Sequence, residues 1–582
     1  MTVALVLADE ADAGLRGRLA ALGVQRVDAT DRTGPGLLTV ADAACAAGER
    51  VLICAGDDGI PEEILACLLE AGGTAAFTGL RTPADRAGRS REIPPARPAG
   101  GALVVDTPDL DALADAAESL AAAPAAPVAV GTLVAELRRR GVAVRVLDAG
   151  PDGNGAVAQL IVDPAARDVA VWAAGRALGP AALYGISLGL GLLAALWFAD
   201  TAIGAQVLAA VTLFGSFLAA RAGAQLAAVG RHGRARPAVD WLGAASGLLT
   251  EFAVYAALAV RSGLAGQAGA PGAGHAAGLD GIFGGTLQNT LAASWEGAGT
   301  EGVWRLAVAA MLLLAVRRLA EMCYEAAVRA PGATFARSAG RLLGQVVALP
   351  TGERYVVIAV TAVFFGPRLT FLVLLAWGAV AAGYVLARQV AASGRQARAE
   401  GVLPAYRGDG AVPRWLGGVV QGMLPPLLPA LTGLLVTCML VVLGLANLPG
   451  ILVLTPVVAM LPAALGARHP HNGRLDWLVP PLLLTGEGVF LAALGFSRHV
   501  PPPLVFVLLA AVIVRHADLA YRARSGLGVP ADTFGLGWDG RMLLVGLAAV
   551  IGIAPAAYAV LAGYLWLLFG WEFLSGWLRS AS

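Results

Sequence analysis

The chain has 582 residues, of which 57% are hydrophobic and only 14% are charged. Its mean hydropathy of +0.70 excludes an ordinary soluble protein of this length and predicts a protein that lies mostly in a membrane. The 42 basic and 41 acidic residues nearly balance. That balance argues against a nucleic-acid partner, because binding nucleic acid requires a concentrated basic face.

Neither the cysteines nor the N-terminal residues indicate an exported protein. The five cysteines lack a CxxC or Cys/His spacing, so neither a disulfide framework nor a zinc site is predicted. The opening stretch MTVALVLADEADAG has no basic segment ahead of an apolar run and a cleavage site, so no signal peptide is predicted. We therefore expect the first domain to stay in the cytoplasm.

Residues 1–155 are predicted to form a soluble α/β domain. The stretches VALVLA, RVLICAGDD and GALVVDT are typical of short buried strands, and EEILACLLEAGG and VGTLVAELRRRG of amphipathic helices that end at glycine. This alternation favours a mostly parallel sheet. Asp57 and Asp58 follow a strand, where α/β proteins often bind ligands, but no glycine-rich phosphate loop accompanies them and a solvated turn is favoured.

The membrane region begins with a surface segment and six predicted spans. A glycine- and aspartate-rich linker leads to DPAARDVAVWAAGRALGP, an amphipathic segment that we expect to lie along the membrane surface. A spanning helix needs roughly 20 mainly apolar residues. Six segments of this kind follow, at about 178–198, 202–220, 241–261, 303–322, 354–366 and 369–387.

The placement of arginine predicts the orientation of these spans. The connections after the second, fourth and sixth segments are basic, whereas the long connection from Ser262 to Trp304 contains no arginine. Basic connections lie on the cytoplasmic side of a membrane. We therefore expect a multi-pass protein of the bacterial inner membrane, with its N-terminal domain in the cytoplasm.

A second apolar block occupies residues 401–582. Its hydrophobic runs lie near 416–447, 449–466, 477–497, 501–515 and 541–575. A break at Pro555 would divide the last run, so this block holds four to six spans. Together with the first block at residues 160–400, the sequence predicts a mainly α-helical polytopic membrane protein of about 10–12 spans, preceded by an α/β domain.

Several stretches of the first block occur in the order found in one enzyme family. They are the surface segment with the first span, then FLAARAGAQLAAVGR, LTEFAVYAALA, WRLAVAAMLLLAVRRLAEMCYEAA and TGERYVVIAVTAVFFGPR. On these stretches, residues of about 160–400 resemble the CDP-alcohol phosphatidyltransferases. The resemblance implies a six-helix domain that transfers a substituted phosphate from a CDP-alcohol to a second alcohol and releases CMP. The region after residue 400 resembles an uncharacterised domain fused behind such domains in bacteria.

The family's motif, D-x2-D-G-x2-A-R-x8-G-x3-D-x3-D, lies between its second and third spans. Its four aspartates hold divalent cations, which prefer carboxylate oxygens and can neutralise a pyrophosphate. In this chain the four positions hold small residues, namely Ala220, Gly223, Gly243 and Gly247. A register without a two-residue loop insertion puts Ala222 and Gln225 at the first two positions, which also brings no carboxylate. The resemblance therefore implies a catalytically degenerate homologue without a metal site, and Mg²⁺ or Mn²⁺ only if the site has been rebuilt.

A basic loop remains between the two halves of the motif. It contains Arg231, Arg234 and Arg236. Guanidinium groups bind phosphate through paired hydrogen bonds, so these arginines could hold a CDP-alcohol or the headgroup of an anionic phospholipid. The favoured interpretation is that they only fix the topology.

Two acids lie inside predicted spans. A buried acid is costly in a membrane, and it usually faces the interior of the bundle and has a partner there. For Glu251 a structural pair is favoured, since the resembling family often has an acid at that place outside its metal motif. Glu487, which is flanked by glycines, is either a proton or ligand contact or a member of an internal pair.

Other polar residues of the first block have simpler interpretations. Asp240 is expected to cap the third span beside the basic loop. Arg317 and Arg318 are expected to form ion pairs with Glu321 and Glu325 at the end of the fourth span.

Two polar segments of the second block carry no predicted chemistry. His469 and His471 lie in the short polar loop RHPHNGR, which is the wrong setting for a metal site. The segment GLGWDGR is typical of a turn and places Asp539 near the start of the last apolar run.

Three hypotheses follow from the sequence. The first is a degenerate transferase homologue that acts as a lipid-binding, scaffolding or regulatory protein, with membrane lipids and a second copy of itself (a homodimer) as candidate partners. The second is an active phosphotransferase whose site has been rebuilt with Glu251 or the N-terminal domain. The third is a transporter or lipid-handling protein formed by both blocks, with Glu487 or Glu251 in its path.

Overall fold

The fold is taken from a computed structural model of the whole chain. The structure describes residues 2–7, 26–30, 50–55, 74–77, 101–121, 130–142, 145–146, 155–174, 178–229, 237–267, 299–327, 347–395, 408–420, 424–446, 450–467, 473–524 and 534–581, with a few single positions between them. Asp57, Asp58 and the loop with Arg231, Arg234 and Arg236 lie outside the described residues.

Six short strands near the N-terminus form one sheet. They are β1 (Thr2–Leu7), β2 (Arg26–Thr30), β3 (Arg50–Ala55), β4 (Ala75–Phe77), β5 (Gly101–Val105) and β6 (Arg145–Val146). The strand order is β2-β1-β3-β5-β4-β6. Two helices, α1 (Leu110–Ala121) and α2 (Val130–Arg139), share an apolar core with this sheet.

The sheet is mostly parallel, as predicted, and contains one antiparallel strand. The strand β5 runs antiparallel to both of its neighbours, β3 and β4, whereas the other pairs are parallel. Two parallel strands need a crossover connection, commonly a helix. The sequence ahead of β5 is instead rich in proline, glycine and arginine and has no helical apolar period.

The described residues from 155 onward are almost entirely helical. A single π-helical turn over Ala158–Val162 leads into the first of these helices, and a 3₁₀ turn over Asp476–Leu478 precedes α13. The helices are α3 (Asp163–Ala174), α4 (Pro180–Ala199), α5 (Ile203–Val229), α6 (Pro237–Gln267), α7 (Gly299–Ala327), α8 (Thr351–Phe364), α9 (Pro367–Arg395), α10 (Ala411–Val420), α11 (Leu427–Ala446), α12 (Ile451–Ala464), α13 (Val479–Ser497), α14 (Pro502–Arg524), α15 (Gly537–Val550) and α16 (Ala554–Ala581).

Within the described residues, eight helices are long and apolar enough to cross a membrane, which supports a multi-pass membrane protein. They are α4, α5, α6, α9, α11, α13, α14 and α16. The expected number of about 10–12 spans is reached only if further helices cross as well. One of these, α7, is long but carries Arg305, Arg317 and Arg318, while α8, α12 and α15 have 14 residues each.

Two apolar runs of the second block are divided in the structure, the second of them at the break predicted near Pro555. The apolar run near 416–447 is divided into α10 and α11, because Pro425 and Pro426 cannot continue the hydrogen-bond ladder of a helix. The last run breaks before Pro555, between the end of α15 and the start of α16, where Gly552 has a φ of +80°.

The two apolar blocks share one core. Buried residues of both blocks belong to a single hydrophobic cluster. Trp241 of α6 stacks on Tyr521 of α14, with ring centroids 5.4 Å apart, and meets the edge of Phe569 of α16 at 6.4 Å. Trp304 of α7 meets Phe506 of α14 edge to face at 5.7 Å. The blocks are therefore packed as one unit in the membrane region.

Replacing the indole that joins three helices tests this packing. Trp241→Ala should lower the free energy of unfolding by about 3–5 kcal/mol, because the lost ring leaves a cavity between both blocks. The measurement is an unfolding titration of the purified full chain in mixed detergent micelles. Trp571→Ala is the control, since Trp571 is 73% exposed and its loss should change stability by about 0.5 kcal/mol or less. Equal losses for the two variants would contradict a shared core.

Candidate functional site

Three helices, α4, α5 and α6, form the frame in which the motif positions lie. Ser216 of α5 donates a hydrogen bond to the carbonyl of Ser187 of α4 at 2.7 Å, inside the bundle. Gly191 of α4 lies directly against the side chain of Thr250 of α6, and a Cβ at this glycine would overlap it. These contacts hold the second and third predicted spans against the first.

A tyrosine ring lies between two of the four motif positions. A Cβ added at Gly223 would lie 2.9 Å from Cε1 of Tyr184, and one added at Gly243 would lie 2.6 Å from its Cζ. Tyr184 belongs to α4 and is buried. In contrast, a Cβ at Gly247 would meet nothing within 4 Å.

This arrangement does not fit the divalent metals that the resemblance implies. An aspartate at Gly223 or Gly243 would overlap the ring of Tyr184, and the residues that are present have no side-chain oxygen to offer a cation. A side chain larger than glycine at either position would require the ring of Tyr184 to move.

Arg221, which lies beside Ala220 on α5, forms an ion pair with Asp163, the first residue of α3. Its Nε donates to Oδ1 of Asp163 at 2.8 Å, and its Nη2 lies 2.7 Å from the same oxygen. Gln225 donates from Nε2 to the backbone carbonyl of Asp163 at 3.4 Å. The start of α3 is thus tied to the part of α5 that carries the degenerate motif.

Glu251 is fully buried, and its carboxylate accepts hydrogen bonds from two guanidinium groups. Its Oε1 accepts from Nη2 of Arg318 at 2.6 Å and from Nη2 of Arg354 at 2.8 Å. Thr351 accepts from the same two groups at 3.4 and 3.1 Å. Arg354 was not singled out from the sequence, although an arginine in the first turn of an apolar helix, in TGERYVV, was a usable signal.

The two neighbouring arginines of α7, Arg317 and Arg318, have different carboxylate partners. Arg317 donates from Nε to Oε1 of Glu321 at 2.9 Å, one turn along the same helix, and from Nη1 to the carbonyl of Leu349 at 3.3 Å. Arg318 turns to Glu251 instead. The side chains of Glu325 and Asp240 lie outside the described residues.

Among the side chains that the structure describes, the cluster around Glu251 has more positive than negative groups. Three guanidinium groups, of Arg317, Arg318 and Arg354, face two carboxylates, of Glu251 and Glu321. Among the described residues, Oε2 of Glu251 and Nε of Arg354 have no hydrogen-bond partner. Arg318 is the most exposed of the three, with a quarter of its side chain accessible. Such a cluster can hold oxygen atoms of an anion.

Glu487 lies in a second buried cluster that joins three helices. Arg541 of α15 donates to it from Nε at 2.6 Å and from Nη2 at 3.0 Å, and Nε2 of His516 of α14 lies 2.9 Å from the same carboxylate. Arg541 also donates to the carbonyl of Gly535 at 2.8 Å. This geometry favours the internal pair over an open proton or ligand contact for Glu487.

Two glycine-rich segments of the second block, GDG (408–410) and GLGWDGR (535–541), contact each other. Oδ1 of Asp539 accepts from the amide of Gly410 at 2.6 Å, and Oδ2 accepts from the amide of Val412 at 3.2 Å. In return, Nε1 of Trp538 donates to Oδ1 of Asp409 at 2.9 Å. Asp539 therefore caps the start of α10 from another helix, a role that the predicted turn did not include. His469 and His471 lie outside the described residues.

A pair of glycine substitutions tests the closeness of Tyr184. Gly243→Ala should destabilise the chain by about 1–3 kcal/mol, because the new methyl group overlaps the ring. Gly247→Ala has open space, and should be neutral or stabilising by up to about 1 kcal/mol since alanine favours the helix. The measurement is the same unfolding titration.

A double mutant isolates the contact from the effect on the helix. In the Tyr184→Ala background, Gly243→Ala should lose its cost because the ring is gone. A cost that stays unchanged in that background would show that Tyr184 does not occupy this space.

Replacing Glu487 tests its buried contacts with Arg541 and His516. Glu487→Gln leaves Arg541 buried without its counter-charge and should cost about 3–5 kcal/mol of unfolding free energy. Glu301→Gln is the matched control, because Glu301 pairs with Arg305 at the exposed end of α7 and such pairs contribute about 0–1 kcal/mol. A Glu487→Gln variant as stable as the control would contradict a stabilising ion pair between Glu487 and Arg541.

Comparison with protein families gives a match for the second block. Residues 397–582 match the model of a family of unknown function, DUF5941. This agrees with the predicted uncharacterised C-terminal region and begins directly after the end of α9. No curated protein matches the chain. The resemblance of residues of about 160–400 to the CDP-alcohol phosphatidyltransferases stays a prediction.

Proposed function

We propose that this chain is a catalytically degenerate relative of the CDP-alcohol phosphatidyltransferases that binds headgroups of anionic phospholipids, as a lipid-binding or scaffolding protein. It lies in the inner membrane of a bacterium, and its N-terminal α/β domain and basic loop face the cytoplasm. The enzyme's metal chemistry has been lost, and the helical frame and its arginines have been kept.

The position of Tyr184 carries this proposal. Loss of a carboxylate alone could be compensated by a neighbouring acid, but an acid at Gly223 or Gly243 itself would overlap the ring of Tyr184. The buried acids Asp163 and Glu251 are engaged by arginines, Asp163 by Arg221 and Glu251 by Arg318 and Arg354. These two observations support a degenerate site over a rebuilt one.

The arginines supply the chemistry for a headgroup. A phosphodiester presents oxygens that guanidinium groups bind in a planar, charge-assisted manner. Arg318 is accessible in part and belongs to a cluster with a surplus of positive charge. Arg231, Arg234 and Arg236 add positive charge in the loop between α5 and α6, where anionic lipids of the cytoplasmic leaflet attract it.

A nucleotide titration tests the loss of catalysis. The detergent-purified full chain is titrated calorimetrically with CDP, with and without Mg²⁺ or Mn²⁺. We expect no metal-dependent binding, because the motif positions offer no ligand to a cation. Metal-dependent binding of CDP, or release of CMP from a CDP-alcohol, would overturn the proposal in favour of an active phosphotransferase.

A lipid titration tests the binding of headgroups. Native mass spectrometry would compare phosphatidylglycerol with phosphatidylcholine on the full chain. Arg318→Gln should weaken binding of phosphatidylglycerol roughly tenfold, the effect of losing one charge-assisted contact. Arg305→Gln removes the same charge from the exposed start of the same helix and should have no effect. Equal affinities for both lipids, or equal effects of both variants, would contradict the proposal.

A further inference from the structure

The short helix α10 cannot cross a membrane. It has 10 residues, so it is about 15 Å long, while the hydrocarbon core of a bilayer is about 30 Å thick. It lies at the start of the second block, near the beginning of the region that matches the family of unknown function.

The start of α10 is held against the first turn of α15. Gly410 and Val412 donate to Asp539 in that turn, and the amide of Trp538 donates to the carbonyl of Gly408 at 3.1 Å. Along the sequence, six residues separate the end of α10 from α11, a candidate span. The helix therefore starts at the level where α15 begins.

One face of α10 is apolar and open. Trp415 and Val419 are 68% and 66% exposed and stand one turn apart, and Ala411 continues the same row. Pro413 and Gly417 form the buried face. Trp415 is therefore a large apolar side chain that no described part of the chain covers.

The surroundings of this face indicate what covers it. The helix α10 packs beside α12. Leu454, Val457 and Leu461 of α12 are also more than half exposed. An apolar face of α12, in a protein whose neighbouring helices span a membrane, adjoins lipid. The open face of α10 thus belongs to a helix that packs beside a lipid-facing helix.

We infer that α10 is an interfacial helix that binds the boundary between lipid headgroups and acyl chains. Tryptophan is enriched at this depth, because its ring is apolar and its N–H finds polar partners there. Arg414, on the same helix, donates from Nε to the carbonyl of Gly410 at 2.6 Å, which keeps its charge at the end next to Asp539. The contact between GDG (408–410) and GWDG (537–540) sets the depth of the helix.

This inference is independent of the proposed function, since it concerns the second block alone. Its partner is the interface of a phospholipid bilayer, and the contact is made by Trp415 and Val419. A second copy of the chain or the chain's own N-terminal region are the alternative occupants that the experiment separates.

Photocrosslinking of the full chain in lipid nanodiscs tests it. Trp415 or Val419 is replaced by the photoreactive residue benzoyl-phenylalanine, and the adducts are identified by mass spectrometry. We expect phospholipid adducts at both positions, attached to the glycerol region or the first carbons of the acyl chain. Leu435, which is 61% exposed on the span α11, is the depth control and should form adducts further along the acyl chain. Trp304, which is buried, should form adducts only within the protein.

Three results would overturn the inference. Adducts between two copies of the chain would identify α10 as a dimer contact. Adducts to residues of the N-terminal region would identify an internal contact. Adducts at the same acyl depth as those of Leu435, or an absence of lipid adducts at both positions, would place α10 away from the interface.

Discussion

A buried carboxylate needs a cation or hydrogen-bond donors as partners, and the ion pairs of Glu251 and Glu487 join several helices of this bundle. Glu251 connects α6 with α7 and α8 through Arg318 and Arg354. Glu487 connects α13 with α15 through Arg541 and with α14 through His516. Breaking either pair would leave a charge buried and unpaired, so each cluster fixes how its helices are placed along their axes. The first cluster also leaves a surplus of arginine near the degenerate motif, and the proposed binding of anions depends on that surplus.

Two glycines at the motif positions leave space for an aromatic ring. Gly223 and Gly243 allow Tyr184 to enter the space between α5 and α6, where a larger residue would overlap its ring. Larger side chains at these two glycines and the ring of Tyr184 would exclude each other in this packing.

The second block supports the first rather than standing apart. Trp241, at the start of the helix that carries half of the motif, packs on Tyr521 and Phe569 of the second block. The region of unknown function thus covers one flank of α6. Its own glycine-rich segments meet through Asp539 and Trp538, and so hold α10 at one end of the bundle.

Composition and apolar runs alone were sufficient to predict a helical, multi-pass membrane protein, because a lipid environment requires long apolar helices. The positions of the missing carboxylates, and of Glu251 and Glu487 inside apolar runs, were also visible in the sequence. The antiparallel strand β5, the partners of both buried acids and the ring of Tyr184 were decided by the tertiary structure. Arg354 is 103 residues from Glu251, and Asp539 is 129 residues from Gly410. Contacts over such separations depend on how helices pack, and the local periodicity of a sequence does not contain that information.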